Sequence, residues 1–378
     1  MTVRDLHPDT AVLLRRVFYD QDLSWPETDG VSEEVFIREV TAQGMAPLLF
    51  RFLSEEDGGN WPSGILVCLR EAAMRQAAFE VVLELDLRRL LDAFSEIGVF
   101  PLLLKGTPLS HILYPEPGLR PRCDTDLLIP DSARKKTVAL MERLGYQGLH
   151  EAEVDYINAQ MSYSKRVAQG VFCSYDIHWQ VSNCNRQFSR DFVDGRLFED
   201  SQAIPALGEH ARTLSKVDAL IFSCFHRAGH FAHHGDRLIW LYDMHLFCQA
   251  LSEQEAKVFS DRTKKLNIVT VCADAFVATR FWFKTEPPPA LEALFLEGGK
   301  QESSALLLRT GRLDGIKQHA LLELQGLSTW LERLNFLLQN AFPPTEYMLW
   351  RYNRKNKRAL PWLYLKRCAE GVYIFLRK

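Results

Sequence analysis

"LLLKGTPLSHILYPEPGLRPRCDTDLLIP", residues 102–130, is the stretch around which the rest of the chain can be organised. One apolar run stops at Lys105-Gly106, and a second begins with Asp124 and Asp126, one residue apart. The two apolar runs predict short strands, and "TPLSHILY" between them predicts a helix. Charged groups therefore stand at the ends of both predicted strands.

Two carboxylates beside a strand call for a positive partner. Residues two apart in a strand point to the same face, so Asp124 and Asp126 would share one region, where their repulsion favours a bound cation or a proton. On a later strand, "SYDIHWQV" offers Asp176 as a third carboxylate and His178 on the same face. Such carboxylates hold Mg²⁺ (or Mn²⁺), and paired metal ions promote in-line displacement at phosphorus. We predict that Asp124, Asp126 and Asp176 are metal ligands and catalytic residues, although a D-x-D pair also occurs at ordinary strand starts.

The end of the first predicted strand offers groups suited to an anion. Gly106-Thr107 lies at the strand-to-helix junction, with Thr107 as the predicted N-cap, and supplies backbone N–H groups. Lys105, Arg120 and Arg122 add positive charge nearby. We predict that these five residues bind the phosphates of a nucleoside triphosphate, the co-substrate. A solvated Lys105 is the plainer alternative.

The flanking residues predict a mixed architecture. Short helical patterns precede a long helix from about Ile65 to Ile97, which ends at Gly98. After the second strand come a helix and an antiparallel strand pair that turns at Gly170. From about Ala206 the helical period persists, with breaks at "EPPPA" and "FPPTEY". The predicted fold class is α+β.

The composition excludes several classes of protein. The 378 residues are 47% hydrophobic and 25% charged, which is typical of a globular protein and not of a disordered or fibrous one. The eight cysteines include no CxxC pair, which argues against a zinc ribbon or a disulfide framework. No apolar run has the length of a transmembrane segment, and the N-terminus does not resemble a signal peptide. We expect a cytoplasmic protein.

The motifs resemble those of the polymerase-β-type nucleotidyltransferase superfamily: an apolar strand, a glycine turn, a D-x-[DE] strand and a third acid on a later strand. The chain is most similar to the uncharacterised bacterial nucleotidyltransferases, in which "KG" replaces Gly-Ser, a tyrosine ends the short helix and an arginine precedes the aspartates. The corresponding residues here are Lys105-Gly106, Tyr114, Arg120 and Asp124-x-Asp126, followed by "YDIHWQV". "APLLFRFL", "FHRAGHFAHHGDRLIWLYDMH" and "FPPTEYMLWRY" extend the similarity over most of the chain. The long gap between Gly106 and Asp124, and Thr107 in place of Ser or Gly, depart from the superfamily pattern.

The resemblance implies a small mixed-sheet nucleotidyltransferase domain with N-terminal helices and a C-terminal all-helical domain, divided as 1–60, 61–200 and 201–378. It implies metal-dependent transfer of an NMP from an NTP to an acceptor hydroxyl or similar group, with release of pyrophosphate. The acceptor, whether a small molecule, a peptide, a protein or an RNA, stays open. Two alternatives are a kinase-like phosphotransferase at the same site and a non-catalytic nucleotide-binding or scaffold protein.

A histidine-rich segment lies in the helical half. His226 and His230 are four residues apart and share a helix face, as zinc-binding pairs do, but Arg227 replaces the glutamate of metalloproteases. We predict that both histidines, with Arg237 and Asp243 as companions and His178 from the strand, line a substrate cleft. The plainer alternative places them in a helix interface. The segment also contains His233, His234 and His245.

The C-terminal tail is basic. From Arg351 to Lys378 nine Lys or Arg residues face one acid, Glu370, so the tail carries +8 and the rest of the chain −11. Aromatic residues between these charges would suit single-stranded nucleic acid or anionic lipid. We favour a solvated or intramolecular role, because the acidic body offers the tail a partner within the same molecule.

Overall fold

A computed structural model of the chain describes residues 3–26, 32–55, 59–148, 160–181, 186–194, 196–230, 235–297, 302–308, 323–325, 327, 329–354 and 356–376. Within them the strands are β1 Leu102–Leu104, β2 Thr125–Leu128, β3 Gln147–Gly148, β4 Gln160–Ala168, β5 Val171–His178, β6 Gln202–Ala203 and β7 Arg212–Thr213. The helices are α1 Pro8–Arg15, α2 Glu33–Ala42, α3 Ala46–Glu55, α4 Ser63–Glu96, α5 Gly106–Ile112, α6 Arg134–Arg143, α7 Arg186–Phe192, α8 Arg196–Glu199, α9 Lys216–His230, α10 Leu238–Ala250, α11 Glu253–Leu266, α12 Val269–Phe283, α13 Pro289–Glu297, α14 Trp330–Ala341, α15 Thr345–Arg351 and α16 Leu360–Leu376. Short 3₁₀ turns include Pro117–Leu119. The predicted α+β class is confirmed.

The strands form one mixed sheet in the order β3-β4-β5-β2-β1-β7-β6. β2 lies near the middle, antiparallel to β1 and parallel to β5. β4 and β5 form the predicted antiparallel pair, turning at Gly170, whose φ of 73° a glycine adopts without strain. Both strands predicted from the opening stretch are therefore confirmed, and the sheet continues past residue 200 to β7.

The long helix α4 also matches its prediction. It ends just before Gly98, whose φ of 67° gives the left-handed turn expected of a glycine C-cap. The predicted start of α5 is wrong, because the helix begins at Gly106 with Lys105 in the cap position, and Thr107 lies inside it. The cause is an unusual backbone conformation at Lys105, which no local sequence preference indicates.

Alternate residues of the central strands pack into two different cores. On one face Leu103 and Leu127 join apolar residues of α4 and α6. On the other face Leu102, Leu104 and Leu128 join α9, α11 and α12. Because side chains alternate along a strand, Asp126 shares the face of Leu128 and points toward the C-terminal helices.

The N-terminal helices form a third core. Phe36 and Leu49 pack there against α4 and against Ile239 of α10 and Phe283 of α12. The N-terminal helices therefore pack against α4, α10 and α12. The boundaries predicted at residues 60 and 200 remain a prediction.

The described part of the basic tail packs within the C-terminal region. Tyr352 donates a hydrogen bond to Glu370 at 2.8 Å, and Arg367 donates to the carbonyl oxygen of Asn340 at 2.5 Å. Tyr364 donates to the carbonyl oxygen of Pro343 at 2.7 Å, so α16 lies against the end of α14. Lys355, Arg377 and Lys378 fall outside the described residues. Contact of the tail with nucleic acid or lipid stays an untested alternative.

Candidate active site

A buried and a partly buried carboxylate, those of Asp126 and Asp176, meet where β2 and β5 lie side by side. Asp126 and Asp176 occupy paired positions of the parallel register, and His178 follows two residues later on the same face. His178 Nε2 lies 2.8 Å from Asp126 Oδ1 and donates its proton to that oxygen. Asp126 and His178 are both buried. The strand register, which holds these groups together, is set by the apolar residues around them.

Lys105 reaches the same point from the end of β1. Its ammonium group donates to Asp126 Oδ1 at 2.6 Å. Lys105 has φ 56° and ψ −129°, a region that residues with a Cβ rarely adopt. This backbone conformation occurs directly at the strand-to-helix turn, where Leu104 pairs with Asp126 across the sheet. The turn therefore holds a strained residue with its charge on the central carboxylate.

Asp176 is oriented by the neighbouring strand. Ser162 donates to Asp176 Oδ1 at 2.6 Å and Gln160 donates to Asp176 Oδ2 at 2.9 Å. Ser162 pairs with Asp176 in the β4–β5 register, and Gln160 pairs with His178. The sequence analysis missed both residues. The signal was the polar alternation of "QMSYS", which puts Gln160 and Ser162 on one face of a strand.

The carboxylates of this site differ in their affinity for protons. Burial alone would raise the pKa of Asp126, but Lys105 and the hydrogen bond from His178 outweigh burial and hold that pKa well below its usual range. Partial loss of water around the Asp124 carboxyl group beside the cleft wall, together with repulsion from Asp126, raises the pKa of Asp124 to about 6. Asp124 itself is an exposed residue just before β2. Negative charge therefore accumulates at the mouth of the site.

The donor set fits a divalent cation. The ligand atoms of Asp126, Asp176 and His178 lie within 4.8 Å of one another. Carboxylate oxygens suit Mg²⁺ and Mn²⁺, and an imidazole is tolerated better by Mn²⁺. Asp124 is not part of this tight group, although it lines the same cleft. The raised pKa of Asp124 indicates that the single positive charge of Lys105 does not neutralise the negative charges of the three carboxylates.

The two predicted phosphate-binding arginines are already paired. Arg120 forms a two-pronged ion pair with Asp243, with distances of 2.8 Å and 2.6 Å. Arg122 donates to Glu80 at 2.7 Å through Nη2 and to the Thr125 hydroxyl at 2.5 Å through Nη1. All four side chains of these two ion pairs are buried. Both arginines line the cleft, but their guanidinium groups chiefly fix the walls of the site.

Two further phosphate-binding candidates lie differently. Gly106 lines the cleft, whereas Thr107 is buried and its hydroxyl lies 3.4 Å from the hydroxyl of Thr125. The Thr107 side chain is therefore directed into the α5–β2 contact. Its predicted phosphate contact stays a prediction that would have to involve the backbone.

Three described arginines line the cleft, and Arg237 is the one that has no carboxylate at ion-pair distance among the described residues. Its Nη2 donates to the carbonyl oxygen of Ala42 at 3.2 Å, and its guanidinium lies 5.8 Å from the ring centre of Trp240. Burial lowers the pKa of Arg237. A partly buried guanidinium paired with no carboxylate is well suited to bind an incoming anion.

The predicted histidine pair forms the opposite wall. The Nε2 atoms of His226 and His230 lie 2.9 Å apart, so one ring donates and the other accepts. Trp240 packs against both rings, at centroid distances of 5.5 Å and 5.2 Å. Burial, with the nearby Lys105 charge, holds the pKa of His226 well below its usual range. His233 and His234 fall outside the described residues.

Most of these groups line one cleft of about 530 Å³ between the sheet and the helices α9 and α10. Of the predicted residues, Lys105, Gly106, Arg120, Arg122, Asp124, Asp126, Asp176, His178, His226, His230, Arg237 and Asp243 line it. Thr107 does not appear in the lining. The cleft is large enough for a small ligand of nucleotide size.

The sequence of residues 29–284 matches the family model described as "Uncharacterised nucleotidyltransferase". The chain belongs to this family. A search of curated proteins gives no match. The family match covers β1 to β7 and α9 to α12, so it includes the whole candidate site. It identifies the protein as a nucleotidyltransferase, an enzyme class that takes an NTP as substrate.

The protein also contains a hydrogen bond, from Tyr114 to Asp243, that motif spacing did not predict. Tyr114, which ends the short helix, donates to Asp243 Oδ1 at 2.7 Å, beside the Arg120 fork. Burial and the Asp243 charge raise the pKa of Tyr114 well above its usual range, so the hydroxyl keeps its proton. Tyr114 and Arg120 were both noted in the sequence, but their shared partner is more than 120 residues away.

None of the described helices is both long and apolar enough to cross a membrane.

Proposed function

We propose that the protein is a metal-dependent nucleotidyltransferase that moves an NMP from an NTP to an acceptor hydroxyl and releases pyrophosphate. The observation that supports this best is the pairing of Asp126 and Asp176 on adjacent parallel strands, with Asp124 at the mouth of the same cleft. Three carboxylates on one cleft wall, with Lys105 as their ion-pair partner, favour bound divalent cations.

In this proposal Asp124, Asp126 and Asp176 would hold Mg²⁺ or Mn²⁺, with His178 fixing Asp126. Such an ion would supply positive charge that neutralises phosphate oxygens and makes the α-phosphorus more electrophilic. Ser162 and Gln160 keep the Asp176 carboxylate in one orientation, so that it faces the cleft. Lys105 and His178 lower the pKa of Asp126, so Asp126 is ionised at neutral pH.

The phosphates of the NTP would lie toward Arg237. Because Arg120 and Arg122 are committed to Asp243 and Glu80, Arg237 is the guanidinium best placed to bind phosphate oxygens. Gly106 lines the cleft, so its backbone at the start of α5 is a candidate phosphate contact, while the space beside its Cα is filled by the Arg120 guanidinium. Lys105 could then be shared between Asp126 and the phosphate chain.

The transfer step requires an acceptor oxygen in line with the bond that breaks. The acceptor oxygen forms a bond to the α-phosphorus, and the bond from that phosphorus to the bridging oxygen of pyrophosphate breaks. The acceptor proton passes to Asp176, which lies at the cleft wall and already accepts two hydrogen bonds. Pyrophosphate leaves with its charge balanced by Arg237.

The decisive experiment follows the label. Cell extract is incubated with the protein, Mg²⁺ and each of the four NTPs, labelled at either the α or the γ phosphate. We expect the α label to appear on an acceptor, and Asp126→Asn and Asp176→Asn to lower that transfer by at least about 100-fold, since each removes one charge from the metal site. Transfer of the γ label would instead identify a kinase-like phosphotransferase.

Matched variants separate the site from the rest of the surface. Asp261→Asn changes an exposed carboxylate on α11 and should transfer normally. Arg237→Met should weaken NTP binding by about 10- to 100-fold, the value of a charged hydrogen bond, whereas Arg70→Met on the exposed face of α4 should not. Full transfer by both Asp126→Asn and Asp176→Asn would refute the proposed site.

We place the reaction in the cytoplasm. The described cysteines are all free thiols, as a reducing compartment favours. The acceptor class follows from the labelled product of the same experiment.

A further inference from the structure

A second group of metal-ligating side chains lies behind the start of β2, outside the cleft. Glu80 and Glu84 are one turn apart on α4, and His111 reaches them from the last turn of α5. One ligand atom from each of the three residues lies within 4.8 Å of the others. Ligands on one transition-metal ion lie up to about 4.2 Å apart, so small side-chain rotations would bring all three onto an ion.

The buried imidazole of His111 is the observation that indicates a metal site, which two glutamates alone would not indicate. Its side chain is only 3% exposed, and its Nε2 atom has no hydrogen-bond partner among the described residues. That atom points toward Glu84, with Oε1 3.5 Å away. A buried ring nitrogen without a partner destabilises the folded protein, unless something binds there. The structure therefore contains a nitrogen ligand aimed at two carboxylates.

The charges around the group leave room for a cation. Arg122 contacts Glu80 mainly through Oε1, and the shortest contact of Oε2 with Arg122 is 3.1 Å. A carboxylate has about four lone-pair positions, so Glu80 can keep Arg122 and still bind an ion. Arg88 lies 3.7 Å from Glu84, but it donates its hydrogen bond to the carbonyl oxygen of Ala206 at 2.6 Å, and its side chain is 47% exposed, so that solvent screens its charge. Of the buried and partly buried charges, the two glutamates outweigh Arg122 by one negative charge.

An ion can reach the group. Glu80 and Glu84 line a separate cavity of about 650 Å³ between α3, α4 and the turn Pro117–Leu119. The Glu84 side chain is 21% exposed and forms the entrance on this side. Solvent, and a small ion, therefore have a route that does not pass through the cleft.

We propose that Glu80, Glu84 and His111 form a second metal site that binds one divalent transition-metal ion, such as Mn²⁺ or Zn²⁺. An imidazole nitrogen with two carboxylates favours these ions over Mg²⁺, which prefers oxygen ligands and its own water. The ion would lie against Glu80, which holds Arg122, and Arg122 donates to Thr125 between the two aspartates of the cleft. An occupied site would therefore stiffen the wall that carries Asp124 and Asp126.

The test counts Mn²⁺ in a protein whose cleft no longer binds it. In a chain carrying Asp126→Asn and Asp176→Asn, free Mn²⁺ is measured by electron paramagnetic resonance during titration. We expect one Mn²⁺ to bind per chain, at least tenfold more weakly after Glu84→Gln and after His111→Gln. Millimolar Mg²⁺ should leave this binding in place. Displacement by Mg²⁺ would overturn the proposed transition-metal preference.

Glu71→Gln, an exposed glutamate on the same helix, is the matched control and should bind Mn²⁺ unchanged. Circular dichroism confirms that each variant is folded, and the partly exposed, isosteric Glu84→Gln decides the result if His111→Gln unfolds. The proposed site would be refuted if the chain carrying Asp126→Asn and Asp176→Asn bound no Mn²⁺. It would also be refuted if Glu84→Gln and His111→Gln left the Mn²⁺ binding unchanged. This result is independent of the proposed transfer reaction.

Discussion

Lys105 shows how one residue connects backbone strain with the chemistry of the site. Its positive φ costs on the order of 1–3 kcal/mol in a residue that has a Cβ. The partly buried ion pair with Asp126, at 2.6 Å, acts against this cost, and glycine at this position would avoid the strain but lose the charge. The strain is therefore tied to the lysine side chain and to the carboxylate that it binds.

Asp124 is a single residue whose negative charge would bind metal but lowers the free energy of unfolding when no metal is bound. A carboxyl whose folded pKa of about 6 lies above the unfolded value of about 3.9 binds more protons when folded. The free energy of unfolding contributed by this group therefore falls as pH rises from about 4 to about 6 and is constant above that range. Asp124→Asn removes the effect, so the variant should be more stable than the parent at neutral pH without divalent ions. Because Asp124 is exposed, screening limits the gain to about 1 kcal/mol.

Urea unfolding at a series of pH values in the presence of chelator measures this difference. The gap between Asp124→Asn and the parent should open between pH 4 and pH 6, and Mg²⁺ should close it by stabilising only the parent. Asp261→Asn should show no gap. A constant difference at every pH would mean that the Asp124 carboxyl titrates normally.

At the scale of elements, the turn from β1 into α5 depends on the absence of a side chain at Gly106. A Cβ at this position would collide with Nη1 of Arg120 and lie 3.2 Å from its Cζ. Arg120 cannot retreat without loosening its fork on Asp243. We expect Gly106→Ala to lower the free energy of unfolding by about 1–3 kcal/mol, the cost of overpacking, despite the better helix propensity of alanine.

Gly371 on α16 provides the matched control. No atom lies within 4 Å of a Cβ built there, so Gly371→Ala should be neutral or stabilise the helix by about 0.5–1 kcal/mol. Both variants are compared by their urea midpoints. A Gly106→Ala protein as stable as the parent would show that Arg120 has more freedom than the structure indicates.

The elements also show what the sequence can and cannot predict. β1, β2 and the hairpin at Gly170 follow from local apolar patterns and turn glycines, and all were predicted. The start of α5 was predicted wrongly because Lys105, in the cap position, has a positive φ that local sequence preferences do not indicate for a lysine. The donors to Asp176 were missed because only the strand register shows which residues of β4 lie opposite β5.

At the scale of the whole molecule, the cleft exists because one polar network joins its two walls. Arg120 and Tyr114 come from the segment between β1 and β2, and both bind Asp243 on the helical side. Apolar residues of β1 and β2 pack against α9 and α12 in a shared core, so the two halves are also held by hydrophobic contact. The network adds a fixed orientation, because a fork of two hydrogen bonds is directional whereas apolar contact is not.

Removing the Asp243 charge should therefore lower the free energy of unfolding more than removing the Tyr114 hydrogen bond. Asp243→Asn leaves the Arg120 charge buried without its partner, and we expect a loss of about 3–5 kcal/mol in the free energy of unfolding. Tyr114→Phe deletes one hydrogen bond and should cost about 1 kcal/mol. Replacing both charges, in Arg120→Met with Asp243→Leu, should recover much of the loss while NTP binding stays weak, because the orientation of the walls is lost. Urea midpoints and NTP titrations of the four proteins measure this directly. Equal losses in Asp243→Asn and Tyr114→Phe would mean that the hydrophobic core alone sets the cleft.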